Sequence, residues 1–227
     1  MKRTHLTVLL FISWSVIAQS MVHAKTITNT NLKEDSREYA WFFSKKISAT
    51  LFGVGRSWDQ KLNKPKPCAD EAVQRINLSI LEPVDFPRSV EDPQSGAWYY
   101  QFDYLRCGET IRNNVVFTSQ QGHISVVPYP PGNSLASPRL ITDTYKIVAV
   151  KALLEVDGCK TIPGPEIVAT RVTKQTVTSG TTSAPIQDWQ ELWTVRACGK
   201  DIDINVCFHS EHPKGTTTSI GPACRQP

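Results

Sequence analysis

The residues best suited to metal or acid–base chemistry are two histidines near the C-terminus. His209 and His212 are three positions apart, with Glu211 between them. Imidazole and carboxylate groups at short spacing can bind a transition metal or transfer protons. Pro213 and Gly215 follow, however, and favour a hairpin loop over a helix that would present the ligands on one face. We therefore expect histidines of a surface loop, with a metal site as the alternative, and take His209 and His212 as candidate binding residues.

Carboxylates that could form an acid–base pair lie on neighbouring predicted strands, at Asp201, Asp203 and Glu191. Such charges usually keep the outer face of a sheet hydrated and its edges unpaired, so we expect them in solvent. The sequence has no G-x-S-x-G nucleophile motif, no H-E-x-x-H zinc motif and no phosphate-binding loop. We accordingly predict no catalytic residue and no cofactor.

Aromatic residues offer a second kind of chemistry, the stacking of sugar rings or peptide side chains. Four of them recur at every second position and therefore share one face of a predicted strand: Trp98, Tyr100, Phe102 and Tyr104. That period favours a core wall packed on a helix over an exposed platform. Tyr99, on the opposite face, and Tyr129 are the better binding candidates. The proline-rich segment around Tyr129 favours an exposed polyproline II conformation, or equally a stiff connector between domains.

Cysteine and aromatic residues recur at a fixed interval along the chain. Matching types are found 91 positions apart at Cys68 and Cys159, Trp98 and Trp189, Cys107 and Cys198, and Phe117 and Phe208. Repetition of rare residue types at one interval indicates an internal duplication.

The duplication also suggests how the six cysteines pair. An even number of cysteines in an exported chain predicts a disulfide framework. Equal spacing within the two halves assigns two bridges, and the remaining cysteines form the third: Cys68–Cys107, Cys159–Cys198 and Cys207–Cys224. Zinc is the competing use of cysteine, but no two cysteines have the close C-x₂₋₄-C spacing of zinc sites.

The elements that position these residues follow the same order in both halves. The first half predicts a helix within 32–52 that Asn31 can cap, then strands near 76–80, 98–104, 111–117 and 124–127. The second half predicts a helix within 139–156, with a strand at 146–150 as the alternative. Strands near 167–177, 189–195, 202–208 and 216–220 follow.

The fold class is therefore α+β, with two tandem units at 25–130 and 131–227. Each unit is a helix packed on a small antiparallel sheet and stapled by disulfides. The stretch 128–138, rich in Pro, Gly and Ser, separates them. A β-sandwich built from both sheets is the alternative.

Residues 1–24 have the pattern of a secretory signal peptide. Lys2 and Arg3 precede an apolar stretch at 6–18, and Ala24 ends a cleavage site. The apolar stretch is short for a membrane span, so we expect an exported mature chain, periplasmic or extracellular, with no membrane insertion. Loss of Lys2 and Arg3 lowers the formal net charge from +4 to +2, which argues against a nucleic-acid partner.

The strand that reads Trp193-Thr194-Val195-Arg196-Ala197-Cys198-Gly199 resembles a motif of an exported proteobacterial domain whose function is not characterised. In that family a helix and a first cysteine precede a Trp-x-Val-x-x-Cys-Gly strand. The resemblance covers part of the second unit, and the first unit enters it only through the duplication. It implies a bacterial cell-envelope or secreted setting and supplies no catalytic residue.

Together these features predict a non-enzymatic exported binding protein, such as a secreted effector or an envelope accessory factor. Its partner would be a protein or a glycan. The alternative function is a small secreted hydrolase with its site between the two units. The nearest residues to a catalytic set would then be His209, His212, Glu211 and Asp201.

Overall fold

The structure is a computed structural model that describes residues 25–28, 32–64, 68–157, 159, 164–178, 186–211 and 215–221. In these ranges the chain forms nine strands and three helices. Their order is β1 (Lys25–Thr28), α1 (Arg37–Phe42), α2 (Lys45–Lys61), β2 (Ala72–Asp85), β3 (Ser95–Arg106), β4 (Glu109–Gln120), β5 (His123–Tyr129), α3 (Pro138–Leu154), β6 (Glu166–Thr178), β7 (Ile186–Ala197), β8 (Lys200–Glu211) and β9 (Gly215–Ile220). The predicted signal peptide lies outside the described residues.

The first sheet has the strand order β1-β2-β3-β4-β5. The last four strands form the predicted antiparallel meander, and β1 adds a short parallel edge beside β2 that the sequence analysis missed. Trp98 on β3 lies opposite Phe117 on β4, and the two rings stack with centroids 5.7 Å apart. The predicted aromatic face of β3 is confirmed as core, since its four members are completely buried: Trp98, Tyr100, Phe102 and Tyr104.

Two helices, rather than the single helix predicted within 32–52, cover this face. Ser36 caps α1 and Ser44 caps α2, each hydroxyl accepting a hydrogen bond from the amide three residues on. The second serine therefore begins a new helix where one continuous helix was expected. Helix α2 buries residues spaced three and four apart, Ile47, Leu51, Val54 and Trp58, against the sheet.

The second sheet has the antiparallel order β6-β7-β8-β9, and α3 packs on its apolar face. Ser137 caps α3, and Pro138 occupies the first turn, where its missing amide hydrogen costs nothing. The alternative strand at 146–150 is wrong, because those residues lie within α3. Trp189 lies opposite Phe208, and the rings stack with centroids 4.7 Å apart.

Each sheet therefore has its own helix and its own core. One cluster lies between α2 and β2–β4, and the other between α3 and β7–β9. A β-sandwich would instead pack the two apolar sheet faces on each other, so that alternative is not the arrangement found. The result is an α+β molecule with two sheets, each built on four antiparallel strands, with β1 as a parallel edge of the first.

Both central hairpins turn on a Cys-Gly pair. Cys107 and Gly108 have φ of 49° and 76°, and Cys198 and Gly199 have φ of 49° and 77°. Two successive residues with positive φ form the tight turn that matches the twist of paired strands. Both predicted bridges from these turns are present, at Cys68–Cys107 and Cys159–Cys198.

Only one cysteine of the third predicted bridge lies within the described residues. Cys207 is disulfide-bonded, but Cys224 lies outside the described residues, so the pairing of these two remains a prediction. Two disulfides indicate an oxidising, exported environment. Among the described helices, none has the length and apolar character needed to cross a membrane.

The segment 130–133 connects the two sheets and is bonded to both. The side-chain amide of Asn114 on β4 donates to Pro130 O at 2.7 Å and to Gly132 O at 3.1 Å. On the other side, the Thr170 amide of β6 donates to Pro131 O at 2.8 Å. Gly132 has φ of 121°, and a Cβ there would lie 1.9 Å from Thr170 O, so only glycine fits. This connection fixes the first sheet against the edge of the second.

Candidate functional site

A groove of about 680 Å³ lies between the two halves of the molecule. Four separate segments form it: the end of α2, the end of β5 with the connecting segment, the first turns of α3, and the start of β6. Its lining residues are Trp58, Lys61, Val127, Pro128, Tyr129, Pro130, Ile141, Thr142, Tyr145, Gly164, Pro165, Glu166 and Ile167. Most of these side chains are aromatic, aliphatic or proline, which is the usual lining of a ligand site.

One wall of the groove is formed by Trp58 and Lys61 of α2. Trp58 is only 4% exposed, and its indole N–H has no hydrogen-bond partner within the described residues. The Lys61 ammonium lies 4.5 Å from the centroid of the Trp58 ring, a distance at which the ring face attracts a cation. The same ammonium lies 2.5 Å from a Glu166 carboxylate oxygen on β6. This ion pair spans the two halves at the rim of the groove.

Two tyrosines also line the groove, and hydrogen bonds hold both hydroxyl groups in place. The Tyr145 hydroxyl on α3 donates to Pro165 O at 2.5 Å. The Tyr129 hydroxyl lies 3.2 Å from Thr142 Oγ1, which itself donates to Pro138 O. Both hydroxyl groups therefore already have a hydrogen-bond partner within the protein.

Tyr129, one of the two predicted aromatic binding residues, therefore lines the groove. Its backbone is the last residue of β5 rather than a polyproline II segment, and Pro128 is tolerated there because β5 is an edge strand. The ring is partly buried against the second core instead of standing free in solvent.

Tyr99, the other predicted aromatic residue, is not in the groove and is only 7% exposed. It does lie on the outer face of β3, but its hydroxyl donates to Asn114 Oδ1 at 2.9 Å, beneath the connecting segment. Burial raises the pKa of the Tyr99 hydroxyl above its usual range. Tyr99 therefore lies on the predicted face of β3 but is buried, because its partner Asn114 is bonded to the connecting segment.

His209 lies on the outer face of the second sheet, outside the groove. Its Nδ1 is 2.5 Å from Asp188 Oδ1 on the neighbouring strand, where the two residues are directly paired. His212 lies outside the described residues. Where side chains are described, no group of three His, Cys, Asp or Glu residues could hold a metal ion.

Glu191 was expected in solvent on the outer face of the sheet, but it lies on the buried face of β7. It is completely buried, on the same face of β7 as Trp189 and Trp193. Both indole N–H groups donate to its carboxylate, at 2.9 Å and 2.7 Å. The Leu135 amide and the Ser134 hydroxyl donate to it at 2.8 Å and 3.1 Å. The period of two along β7 is the signal that places Glu191 on the same face as the tryptophans.

The other two carboxylates lie in solvent as expected. Asp201 is exposed and accepts two hydrogen bonds from the Arg196 guanidinium, which lower the pKa of its carboxyl group. Asp203 is exposed and accepts a hydrogen bond from the Thr194 hydroxyl at 2.7 Å. Neither residue lines the groove.

The groove therefore suits binding better than acid–base catalysis. It contains a single carboxylate, Glu166, which is paired with Lys61, and no histidine. The other titratable side chains of the lining, Lys61, Tyr129 and Tyr145, are engaged with Glu166, Thr142 and Pro165. Comparisons with protein-family models, with curated proteins and with solved structures find no match to this chain.

Proposed function

We propose that this chain is an exported, non-enzymatic protein that binds an extended segment of a partner protein in the groove between its two units. The groove itself is the observation that carries the proposal. Its size is that of a ligand site, and its rings and prolines are held in place before any ligand arrives.

The chemistry of the walls favours a peptide over a glycan. A sugar needs many free donors and acceptors, whereas the hydroxyl groups of Tyr129 and Tyr145 and the Lys61–Glu166 pair already have partners. An extended peptide can place apolar or proline side chains on aromatic rings.

Two further expectations belong to the same proposal. The matching Cys-Gly turns and Trp–Phe pairs support an origin by duplication of one unit. The resemblance of the second unit to an exported proteobacterial domain favours a bacterial envelope or secreted setting.

The test is a screen of the mature chain, residues 25–227, against a displayed random peptide library and a glycan array. We expect enriched peptides and no glycan signal. Tyr145→Ala should weaken binding of the enriched peptides by about tenfold or more, since aromatic anchors dominate such interfaces. Tyr145→Phe keeps the ring and should bind within about threefold of the parent protein. Leu81→Ala, at an exposed position outside the groove, should not change binding.

Three results would contradict this proposal. Binding of glycans alone would replace the partner class, and no binding of either library would remove the groove as a binding site. Turnover of a bound peptide that is lost in Tyr145→Ala would favour the hydrolase instead.

A further inference from the structure

Strand β5 forms one edge of the first sheet, and its pairing with β4 shows which of its backbone groups are used. The two strands are joined by a two-residue turn at Gln121 and Gly122, whose φ of 53° and 77° are those of a tight hairpin. The pair that closes such a turn, Gln120 with His123, is hydrogen-bonded, and so is every second pair after it. The residues of β5 that bond to β4 are therefore His123, Ser125, Val127 and Tyr129.

The residues between them direct their backbone groups away from β4. On this free edge lie the N–H groups of Ile124 and Val126 and the C=O groups of Ile124, Val126 and Pro128. Pro128 agrees with this assignment, because a residue without an N–H is tolerated where the ladder needs none. Among the described residues, none of these groups has a hydrogen-bond partner. A row of unpaired groups of this kind is a template for a further strand.

Strand β5 has few of the features that protect edge strands from pairing. Its register with β4 is uninterrupted, and its seven residues include no Lys, Arg, Asp or Glu. The edge strand β6 of the second sheet, by contrast, has two register shifts and carries Arg171 and Lys174. Bulges and charges of this kind prevent pairing with another chain. The edge of β5 is therefore more open to a further strand than the edge of β6.

The free edge of β5 leads into the groove. Val127, Pro128 and Tyr129 all line the groove, although successive residues of a strand face opposite sides. A cavity that touches both faces of a strand lies at its edge or its end, and β4 occupies the other edge of β5. Beyond the groove, Gly132 pairs with Thr170, so β6 takes the neighbouring position there. A strand added to β5 therefore runs along its free edge and enters the groove.

We propose that the partner segment binds as a sixth strand of the first sheet, paired with the free edge of β5 and continuing into the groove. This mode of binding rests on the function proposed above, and it adds the contacts that hold the segment. Main-chain hydrogen bonds to Ile124, Val126 and Pro128 supply affinity, and the side chains beside them supply specificity.

The side chains of β5 define which segment fits. Ile124 and Val126 pack on the first core, and directly paired residues of neighbouring strands share a face. The segment therefore has apolar residues at alternate positions, beside Ile124 and Val126. It tolerates polar residues between them, beside the exposed Ser125. Proline is excluded where the segment must donate an N–H to the edge.

A second copy of this chain fits the edge less well than a flexible segment. If two β5 strands paired antiparallel, the second strand would reach its own turn at 121–122 close to Pro128. The chain reverses at that turn, so the second copy could not continue into the groove. A segment of a partner protein has no such turn.

Hydrogen exchange of the mature chain, followed by NMR, tests the edge with and without a peptide. In the free protein the amides of Ile124 and Val126 should exchange at least about tenfold faster than those of Ser125 and Val127, which bond to β4. The probe is a peptide from the displayed library whose binding depends on Tyr145. It should slow exchange at Ile124 and Val126 by about tenfold or more. Slow exchange of these two amides in the free protein would overturn the proposal, because the edge would already be covered.

Two variants at one position separate the edge amide from its side chain. Val126→Pro removes an edge N–H but no bond to β4, and it should weaken binding of the same peptide by at least about tenfold. Val126→Ala shortens the side chain and keeps the amide, so it should bind within about threefold of the parent protein.

If Val126→Pro impairs folding, N-methylation of the peptide makes the same test on the unaltered protein. A single N-methyl group removes one donor of the peptide backbone. Binding should fall by about tenfold when the methyl group is at alternate positions that face β5, and should stay unchanged at the positions between them.

The outcomes distinguish the added strand from the groove itself. A peptide that binds Val126→Pro and Val126→Ala equally, with no alternation in the N-methyl series, would exclude the sixth strand and leave the groove as the binding site. A library that yields no peptide would remove the proposed function, and this mode of binding with it.

Discussion

The buried carboxylate of Glu191 ties the second sheet to the chain that enters its helix. The position 91 residues earlier is Tyr100, whose hydroxyl donates to Phe42 O at 2.7 Å, just before α2. Glu191 instead accepts from the Leu135 amide, just before α3. The same strand position therefore anchors the helix entry in both halves, once as a donor and once as an acceptor. Four donors surround Glu191, which is how a fully buried carboxylate is tolerated.

Replacing this carboxylate tests its structural role. Glu191→Gln substitutes an amide NH₂ for one oxygen, so at least one buried donor loses its acceptor. We expect the free energy of unfolding to fall by about 2–3 kcal/mol, measured by equilibrium unfolding in urea. Asp203→Asn, on the exposed face, should change it by less than about 0.5 kcal/mol. Equal stability of Glu191→Gln and the parent protein would show that the network contributes nothing.

The carboxyl group of Asp92 makes the stability of the fold depend on pH. Its carboxylate accepts from the Trp41 indole N–H at 2.9 Å and from Lys46 at 3.0 Å, and these contacts lower its pKa. The contribution is present above the unfolded pKa of about 3.9 and is lost as the pH falls through the lower folded value. We expect Asp92→Asn to cost less than about 1 kcal/mol at pH 7, since the side chain is 37% exposed, and to cost nothing near pH 2.

Thermal unfolding of both proteins between pH 7 and pH 2 provides the measurement. Asp143→Asn removes an exposed carboxylate that has no ion-pair partner among the described residues, and its unfolding temperature should follow that of the parent protein at every pH. A constant difference between Asp92→Asn and the parent over the whole range would contradict the assignment.

Within α2, two glycines two residues apart have opposite roles. A Cβ at Gly55 would lie 2.7 Å from the Tyr104 ring, whereas a Cβ at Gly53 would contact nothing within 4 Å. Gly53→Ala should therefore stabilise the protein by up to about 1 kcal/mol, through helix propensity alone. Gly55→Ala should destabilise it by about 1–3 kcal/mol, because the buried ring must move. Chemical denaturation of the two variants checks this, and the same sign for both would refute it.

The sequence predicts those helices and strands whose buried face follows a short-range pattern of apolar residues. The strand with Trp98 and Tyr100 was predicted because one buried face produces alternation, and α3 was predicted from its apolar spacing. Strand β1 was missed because four residues in a parallel edge carry no such pattern. Tyr99 was misjudged because a segment 30 residues later covers it. The groove needs four segments from both halves, so only Tyr129 was anticipated there.

At the level of the whole molecule, the connecting segment decides whether the two halves behave as one body. Gly132→Ala cannot keep the contact with Thr170, since its Cβ would lie 1.9 Å from a backbone oxygen. We expect a loss of more than about 2 kcal/mol and separate unfolding of the two halves, seen as two calorimetric transitions. Gly164→Ala, where a Cβ has nothing within 4 Å, is the matched control. A single unshifted transition in Gly132→Ala would show that the segment does not couple the halves.

The hydrogen bonds of Glu191 also affect the fluorescence of the two tryptophans that it contacts. The carboxylate of Glu191 accepts hydrogen bonds from two indole N–H groups and from the backbone amide of Leu135, just before α3. Helix α3 also supplies Tyr145 to the groove. Indole emission responds to nearby charge, and the members of such a network polarise one another. A ligand that moves the first turn of α3 should therefore alter the fluorescence of Trp189 and Trp193. The protein thus carries its own optical reporter for the occupancy of the groove, and no added label is needed to follow a titration.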